Sequence, residues 1–552
     1  MTDARFDPIT LEIMWSRLIS IADEMWTTVL RTAVSTIIGA AQDFGCEILD
    51  AHGNSVAHSQ RSMPVFNLVM PTTTHAVMER FPVETMRPGD VFITNDPWIC
   101  AGHLDDIATV SPVFLHEEPG AGNRPVAFLT TIAHTSSIGG SLSPTTVRDI
   151  YEEGLRIPIC KLYDAGRANE VVFAFIRENV RTPEMVLTDV EAQVTANALG
   201  VRRLRSFMRE YGLMELDALA ETVQARAEGA MRAAIRAVPN GVYENEMLTD
   251  GRGEPVRLRC RITVTDEEIA VDYAGSDPER IAGGINCCLI YTEAHTVYPL
   301  KCLLTPEVPA NEGTYRPLKV TAPAGSILNC TMPASVNSRV NTGWHLHSLL
   351  FGALANALPD RVQAGNGLMH SLNSYGQDAE GRTYNAHFLT AGGRGASMGR
   401  DGIGRNCFPS SARNVAVEIF ELRVPVLIRE RALRPDSAGA GEWRGAFGHA
   451  IVVSRLPGFT KAVDFYLSPN RLRFPPQGLA GGDDGPRTAL FLNGQPLTHD
   501  DLESGHIALQ SDDDRLVEWL PGGAGFGDPT RRDPAAVEGD RRSGLVTAPD
   551  AE

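Results

Sequence analysis

The sequence predicts a multidomain protein of mixed α/β and α+β structure. The chain has 552 residues, more than one hydrophobic core usually organises, so we expect roughly two to four packed units. Apolar residues repeat at helical spacing in some stretches, and in others they form short runs bounded by glycine, proline or asparagine, as strands do. The apolar fraction of 43% is ordinary for a globular protein.

Five regions follow from these patterns along the chain. They are an N-terminal metal-binding α/β region (1–165), a helical segment (166–237), a mixed α/β region (238–430), a glycine-rich β region (431–530) and a flexible tail (531–552).

The N-terminal region begins with a helix. Asp7-Pro8 is typical of an N-cap followed by the first helical residue, and apolar residues then repeat at three- and four-residue spacing to about residue 38. A hairpin is indicated over 42–60, with its turn at 50–54. The strand-rich part follows, with strands predicted near 91–94, 107–114 and 126–133.

The later regions alternate between helix and strand. Helical periodicity covers 166–237, with a break at Tyr211-Gly212, and helices are also expected near 286–304 and 342–357. The pair Asn240-Gly241 is the strongest hairpin signal in the chain. The tail after residue 530 is charged and contains Pro534 and Pro549, so we expect it to fray.

Composition argues against several classes of partner. The net charge of -18 is unfavourable for nucleic acid, whose binding needs a basic face. No apolar run reaches membrane-spanning length, and the N-terminus lacks a basic-then-apolar signal, so we expect a cytoplasmic protein without a membrane partner. The nine cysteines are dispersed without a CxxC pair and are expected to be reduced thiols.

Lysine is nearly absent, and no lysine follows a glycine. The chain therefore has no GxxxxGK[ST] phosphate loop. If the reaction uses ATP, the nucleotide would bind elsewhere, most simply on another chain. The lysines are Lys161, Lys301, Lys319 and Lys461.

A candidate metal site is the most informative feature of the sequence. His103 and Asp106 have His-x-x-Asp spacing just before an apolar strand, and His134 closes another apolar strand. Two adjacent strands would bring both imidazoles to one end of a sheet. Asp43, on the first hairpin, is a possible fourth ligand. Imidazole and carboxylate are the usual ligands of a hydrolytic divalent metal such as Zn²⁺ or Mn²⁺.

Alternatives remain open at this segment. Cys100 is a rival ligand, and a thiolate would favour structural zinc. The spacing alone does not decide whether Asp105 or Asp106 faces the metal. An ordinary Asx turn with solvated histidines would also explain the residues, because short motifs recur by chance.

Two glycine-rich motifs lack the structural context that their functions need. The segment 395–399 matches the GxSxG pattern of serine hydrolases, but the residues after it are typical of a loop, and a nucleophile elbow requires a helix there. The glycines of 522–527 precede Asp528-Pro529, which is not a helix start typical of dinucleotide binding.

The motifs together resemble the hydantoinase B/oxoprolinase family, which also contains subunits of acetone and acetophenone carboxylases. The resemblance covers nearly the whole chain. The turn before His103 and the residue Asp105 depart from the family pattern, in which proline usually precedes the ligand aspartate. The motifs that carry the resemblance are 7–12, Asp43-Phe44, 88–97, 103–106, 152–155, 436–441 with Arg444-Gly445, and 521–529.

The resemblance implies a B-type subunit of an ATP-dependent cyclic-amide hydrolase, acting on a hydantoin, an N-methylhydantoin, 5-oxoproline or a lactam. An A-type partner subunit would bind ATP and phosphorylate the substrate carbonyl oxygen, in a hetero-oligomer. The B-type subunit would hold the divalent metal, zinc or manganese. The family's metal ligands map onto Asp43, His103, Asp106 and His134.

The proton acceptor and the exact reaction remain open from the sequence. Asp105, or a histidine such as His58 or His75, is a candidate general base. One alternative function is a subunit of an ATP-dependent ketone carboxylase, which bicarbonate dependence would reveal. Another is a non-catalytic scaffold subunit, which would lack a stoichiometric metal.

Overall fold

The computed structural model describes residues 6–116, 124–143, 145–404 and 407–547. Within these ranges it is a mixed α+β structure, as the sequence predicts, and it contains four sheets. No helix in the described part of the chain is long and apolar enough to cross a membrane. The helices are α1 (Pro8–Thr32), α2 (Thr36–Gly39), α3 (Phe66–Arg80), α4 (Glu170–Asn179), α5 (Pro183–Glu210), α6 (Asp217–Arg236), α7 (Leu289–Leu304), α8 (Glu312–Tyr315), α9 (Val340–Gly343), α10 (Leu346–Leu354), α11 (Val417–Glu421) and α12 (Pro534–Arg542).

The strands are short and distributed over the whole chain. They are β1 (Phe44–Asp50), β2 (Ser55–His58), β3 (Val91–Thr94), β4 (Asp106–Val113), β5 (Ala127–His134), β6 (Cys160–Asp164), β7 (Arg167–Ala168), β8 (Gly241–Arg252), β9 (Glu254–Thr265), β10 (Glu268–Asp272), β11 (Leu318–Thr321), β12 (Met369–Gln377), β13 (Thr383–Ala391), β14 (Val426–Leu433), β15 (His449–Arg455), β16 (Val463–Tyr466), β17 (Ala489–Leu492), β18 (Gln495–Pro496), β19 (His506–Leu509) and β20 (Leu516–Trp519).

The N-terminal sheet has seven strands in the order β2-β1-β5-β4-β3-β6-β7, and its strand pairs are antiparallel. Its two faces carry different helices. Thr130 contacts Thr74 of α3, with 2.8 Å between the hydroxyl oxygens, whereas Thr131 donates to Asn197 of α5 over 2.7 Å. Because successive side chains of a strand point to opposite faces, α3 and α5 cover opposite faces of the sheet. This explains why every residue of β1 and β4 is buried.

The predicted N-terminal helix is divided in two. The helix α1 ends at Thr32, three residues of extended chain follow, and α2 begins after the N-cap Ser35, whose hydroxyl accepts from the Ile38 amide. The amides of Val34 and Ser35 donate to Asp189 of α5. A tertiary hydrogen bond therefore holds the break, which the apolar periodicity alone does not reveal.

The prediction of a hairpin at Asn240-Gly241 is wrong. The helix α6 runs to Arg236, and β8 begins at Gly241, so this pair joins a helix to a strand. The Asn240 side chain instead bonds Asp266 in both directions, at 2.9 and 2.8 Å, and so ties the start of β8 to the β9–β10 turn. This region contains the hairpins β8–β9 and β9–β10, and the β8–β9 turn contains Gly253, whose φ is +68°.

The remaining sheets form the middle and C-terminal parts of the molecule. Their strand orders are β11-β10-β9-β8, β13-β12-β16-β19 and β14-β15-β20-β17-β18. The second of these sheets takes strands from both sides of residue 430. The boundaries of the five predicted regions stay predictions. The helices α7 and α10 pack with the first of these sheets around a hydrophobic core that includes Leu258, Leu300 and Leu350.

Part of the predicted flexible tail is ordered, so that expectation is wrong for residues 534–542. The helix α12 begins at Pro534 after the N-cap Asp533. Asp540 pairs with Arg444 at 2.8 Å and with Arg532 at 2.9 Å, which fixes the helix to the preceding region. Residues 548–552, including Pro549, lie outside the described residues.

Candidate metal centre

Three neighbouring strands place most of the candidate ligands at one end of the N-terminal sheet. Asp106 opens β4 and is paired in register with His134, which closes β5. Asp43 directly precedes β1, and its carbonyl accepts from the His134 amide over 3.0 Å. Because β1 and β4 both flank β5, the order β1-β5-β4 brings Asp43, His134 and Asp106 to the same edge. This is the adjacent-strand arrangement that the sequence analysis expects.

His103 comes from the tight turn that precedes β4. Gly102 has a φ of +82°, and a Cβ at this position would lie 2.8 Å from the Cβ of Tyr291 and 3.1 Å from Arg339. A larger residue would therefore face both backbone strain and a clash. The glycine lets the turn pack against Tyr291 and directs the His103 ring to the sheet edge.

The donor atoms of His103, Asp106 and His134 converge. One ligand atom from each of the three lies within 4.8 Å of the others. His103 Nε2 is 2.7 Å from Asp106 Oδ2, yet this Nε2 makes no hydrogen bond within the described part of the chain. An imidazole nitrogen and a carboxylate oxygen this close to each other can both bind one divalent ion.

Asp43 adds a carboxylate with an unpartnered oxygen to this edge of the sheet. It lines the same pocket as the three converging residues, and its buried Oδ1 has no hydrogen-bond partner among the described residues. Burial and the charge of Asp106 raise the pKa of Asp43 to about 6, against the opposing effect of His134 and His103. An unpartnered carboxylate oxygen beside imidazoles fits a further ligand of a divalent cation.

Two more residues hold the ligands in place. Asp105 Oδ2 lies 3.3 Å from His103 Nδ1, on the side of the ring away from Asp106. Arg339 donates to Asp106 Oδ2 over 3.1 Å and to the Ala101 carbonyl over 2.9 Å, and its guanidinium stacks 4.4 Å from the Tyr291 ring centroid. A carboxylate behind a ligating histidine fixes its tautomer and orientation.

Opposite charges stabilise one another within the cluster. Burial opposes ionisation of Asp106, but His103 and His134 outweigh it and hold the pKa of this carboxyl well below its usual range. Burial likewise opposes the charge on His134, but its hydrogen bond to Asp106, 3.0 Å long, and the nearby carboxylates raise its pKa to about 9. A bound cation would stabilise these carboxylates in place of the protons on His103 and His134.

The cluster opens into a cavity of about 250 Å³, which is large enough for a small organic molecule. Glu153 and His387 also line it. Glu153 is buried; its Oε1 accepts from the amides of Val336 and Asn337 at 2.6 and 2.8 Å, whereas its Oε2 has no partner among the described residues. Burial raises the pKa of Glu153 to about 8. Burial and the charge of His134 lower the pKa of His387 to about 4.

The structure does not bring every sequence candidate to this cavity. His58 lines a separate pocket, and its Nδ1 contacts the Ser59 carbonyl at 3.0 Å. His75 is exposed on α3 and lies beside Gly53 at the tip of the β1–β2 hairpin, at the other end of β1. The expectation that one of these two histidines acts as the general base therefore finds no geometric support.

Cys100 also lies outside the ligand group. Its thiol is fully buried and donates to the Asp106 carbonyl over 3.7 Å. Burial raises the pKa of Cys100 to about 12, so the thiol keeps its proton. The residues whose ligand atoms converge are His103, Asp106 and His134, and Cys100 is not among them.

Sequence reasoning missed Glu153, Arg339 and His387 as residues of the site. Glu153 belongs to the 152–155 motif, which by itself indicates no role for the residue. Arg339 and His387 are more than 200 residues from the His103 turn, and no spacing rule links such distant positions. A buried arginine beside a carboxylate becomes recognisable only when the fold has joined the two segments.

The GxSxG segment and the glycines of 522–527 are loop, as expected. Ser397 forms isolated bridges to Gln363 and Arg400, and the described residues 398–404 that follow it contain no helix. Gly522, Gly523 and Gly525 pack against the backbone of other segments, with no room for a Cβ. These glycines therefore allow close packing of chain segments.

Comparisons with known proteins agree with this architecture. The sequence model of the family described as hydantoinase B/oxoprolinase matches residues 7–529. A chain of Pseudomonas sp. strain NS671, named as the B-type subunit of a D-/L-hydantoinase, is 30% identical, over 98% of this chain and 94% of that one. The crystal structure of the ATP-dependent caprolactamase from Pseudomonas jessenii matches with a TM-score of 0.89 and 27% identity, over 98% of this chain and 95% of that one. A nucleotide-free structure of acetone carboxylase shares the fold, with a TM-score of 0.82 and 18% identity, over 98% and 78% of the two chains.

Proposed function

Since the chain belongs to the hydantoinase B/oxoprolinase family, we propose that it is the metal-holding subunit of an ATP-dependent enzyme that opens a cyclic amide. The observation that carries this proposal is the convergence of His103, Asp106 and His134 at the edge of a substrate-sized cavity. The substrate would be a hydantoin, an N-methylhydantoin, 5-oxoproline or a lactam.

The residues present fit a divalent metal. The proposed ligands are His103, Asp106, His134 and Asp43, and the unpartnered Oδ1 of Asp43 supports the fourth assignment. Nitrogen and oxygen donors of this kind suit both zinc and manganese. A bound divalent ion would polarise the substrate carbonyl and lower the pKa of a water towards neutrality.

Other residues of the chain would position the metal ligands and transfer protons. Asp105 holds the His103 ring so that Nε2 faces the ligand cluster, and Arg339 fixes the orientation of Asp106. Asp105 is thus better suited to positioning than to accepting a proton, because His103 keeps its pKa below the usual value although burial opposes this. Glu153, neutral below about pH 8, and His387, neutral above about pH 4, are the better proton carriers in the cavity.

The proposal includes a partner. The chain lacks a phosphate loop, and the similar proteins from the two Pseudomonas strains are named as a B-type subunit and as an ATP-dependent enzyme. We therefore assign ATP binding to a hydantoinase A-type subunit, in a hetero-oligomer with this chain. That subunit would phosphorylate the substrate carbonyl oxygen, and ring opening would follow in the cavity of this chain.

The test is to co-purify the chain with its A-type partner and to screen cyclic amides with ATP. We expect ring opening coupled to ATP hydrolysis, and we expect the metal to be present in stoichiometric amount. Failure of every cyclic amide, with a product that requires bicarbonate, would favour the carboxylase alternative. A complex with no bound metal and no turnover would favour a scaffold role.

A further inference from the structure

A second cavity of about 590 Å³ lies near the metal cavity and contains three arginines. We call it the arginine cleft and define it by Arg361, Arg394 and Arg413, with Ser397 and Ser411. The segment 407–412 contributes to both cavities, because Ser410 lines the metal cavity whereas Ser411 lines the arginine cleft. The cleft is nonetheless separate from the metal ligands, none of which lines it.

The positive charge of the arginine cleft is not balanced within the described part of the chain. Among the described residues, no aspartate or glutamate lines the cleft. Arg361 donates to the Leu303 carbonyl, and Arg394 donates weakly to Gln363 over 3.5 Å, but neither they nor Arg413 forms an ion pair with a described residue. Such a cluster is notable in a chain with 68 acidic and only 50 basic residues, where carboxylates outnumber the cations available to pair with them.

Among the arginines of the cleft, Arg394 has a buried donor without a partner in the described part of the chain. Its Nε is buried without a hydrogen-bond partner among the described residues, while its guanidinium lies 5.0 Å from the Phe408 ring centroid. Burial lowers the pKa of Arg394, and the nearby Arg400 lowers it further, with Tyr298 opposing. A buried donor without a partner is costly, so a ligand that supplies an acceptor would be stabilised there.

We propose that the arginine cleft binds an oxyanion, namely the phosphate or carboxylate group of a small molecule. Guanidinium groups match these planar or tetrahedral oxygen arrays with paired hydrogen bonds. Ser397 and Ser411 also line the cleft, and their hydroxyls are further hydrogen-bond donors. Because the net charge of -18 repels anions generally, a local cluster of this kind gives selective rather than non-specific binding.

The test is calorimetric titration of the purified full chain with inorganic phosphate and, in a separate arm, with citrate, at low ionic strength. We expect saturable binding of at least one of them. The double variant Arg361→Ala/Arg413→Ala should bind at least about tenfold more weakly. Both side chains are exposed, so the fold should persist, and circular dichroism checks this. The anion that binds more tightly identifies the preferred group as phosphate or carboxylate.

Two controls make the outcome specific to the cleft. Arg202→Ala removes an exposed arginine of α5 and should leave binding unchanged. His103→Ala, which disrupts the metal centre, should also leave it unchanged. The proposal is overturned if neither anion binds saturably, if the double variant binds as the parent does, or if only His103→Ala abolishes binding. The test does not involve ring opening, so its result is independent of the proposed function.

Discussion

At the scale of single residues, metal binding depends on a small number of ligand side chains. His103→Ala and His134→Ala should each reduce metal affinity by at least about a hundredfold and remove activity, because each deletes one of a few donors. His75→Ala is the matched control, since this histidine is exposed on α3, beside the end of β1 away from the ligands. Elemental analysis and thermal unfolding of the three purified variants measure the effect. Full metal occupancy in both ligand variants would contradict the assignment.

Glu153 offers a second prediction at this scale. Glu153→Gln keeps an oxygen that can accept from Val336 and Asn337, so the local fold should persist. It removes the proton that the free Oε2 side carries below about pH 8. We expect kcat to fall by about 10²-fold with metal content unchanged, since general acid–base catalysis contributes roughly this much.

The pH profile separates this role from a structural one. If Glu153 acts as an acid, activity of the parent declines as pH rises through about 8, because the group then loses its proton. The variant should lack this decline. A kcat within about threefold of the parent, with the decline retained, would show that Glu153 only holds the backbone of 336–337.

At the scale of secondary-structure elements, β1 carries a buried acid that should make stability depend on pH. Glu47 is fully buried; Ser55 donates to its Oε1, and its Oε2 has no partner among the described residues. Burial raises the pKa of Glu47 well above 4.5, and the charge of Glu312 adds to this. The folded chain therefore holds a proton that the unfolded chain has released, so stability falls as pH rises above about 4.5.

Glu47→Gln should remove this loss, because glutamine stays neutral and still accepts from Ser55. We expect the melting temperature of the variant to exceed that of the parent by about 1–3 °C near pH 8 and to match it near pH 4.5. Glu221→Gln, at an exposed position of α6, is the control and should follow the parent at both values. A variant that melts below the parent near pH 8 would mean that Glu47 is ionised in the folded protein.

At the scale of the whole molecule, the proposed division of labour predicts how the isolated chain behaves with nucleotide. Purified alone, the chain should neither bind ATP tightly nor hydrolyse it, because it has four lysines, none after a glycine. A nucleotide phosphate needs a cradle of backbone amides, usually with a lysine or a metal. Calorimetric titration of the chain decides this. Micromolar affinity, with turnover in the absence of a second polypeptide, would refute the partner assignment.

Binding of ATP in the arginine cleft alone would be a different result. Arg361→Ala/Arg413→Ala should weaken any such binding at least about tenfold, whereas it should not affect the metal content. The two sets of variants, at the metal centre and at the cleft, therefore report on separate parts of the molecule.

The sequence by itself determined the mixed fold class, the long helices, the strands that carry the metal ligands, and the family. It also indicated the three converging residues, because His103 and Asp106 are close in sequence and His134 ends an apolar strand that pairs with β4. These features depend on local periodicity and on short spacings, which act through neighbouring residues along the chain.

Tertiary structure alone decided the rest of the site. It brought Arg339 and Glu153 to the ligand cluster and placed His58 and His75 elsewhere. It also placed Asn240-Gly241 between a helix and a strand, although this pair is typical of a hairpin. The physical reason is that these outcomes depend on contacts between segments far apart in the chain. Such contacts follow from how whole sheets and helices bury their apolar faces, which local spacing does not encode.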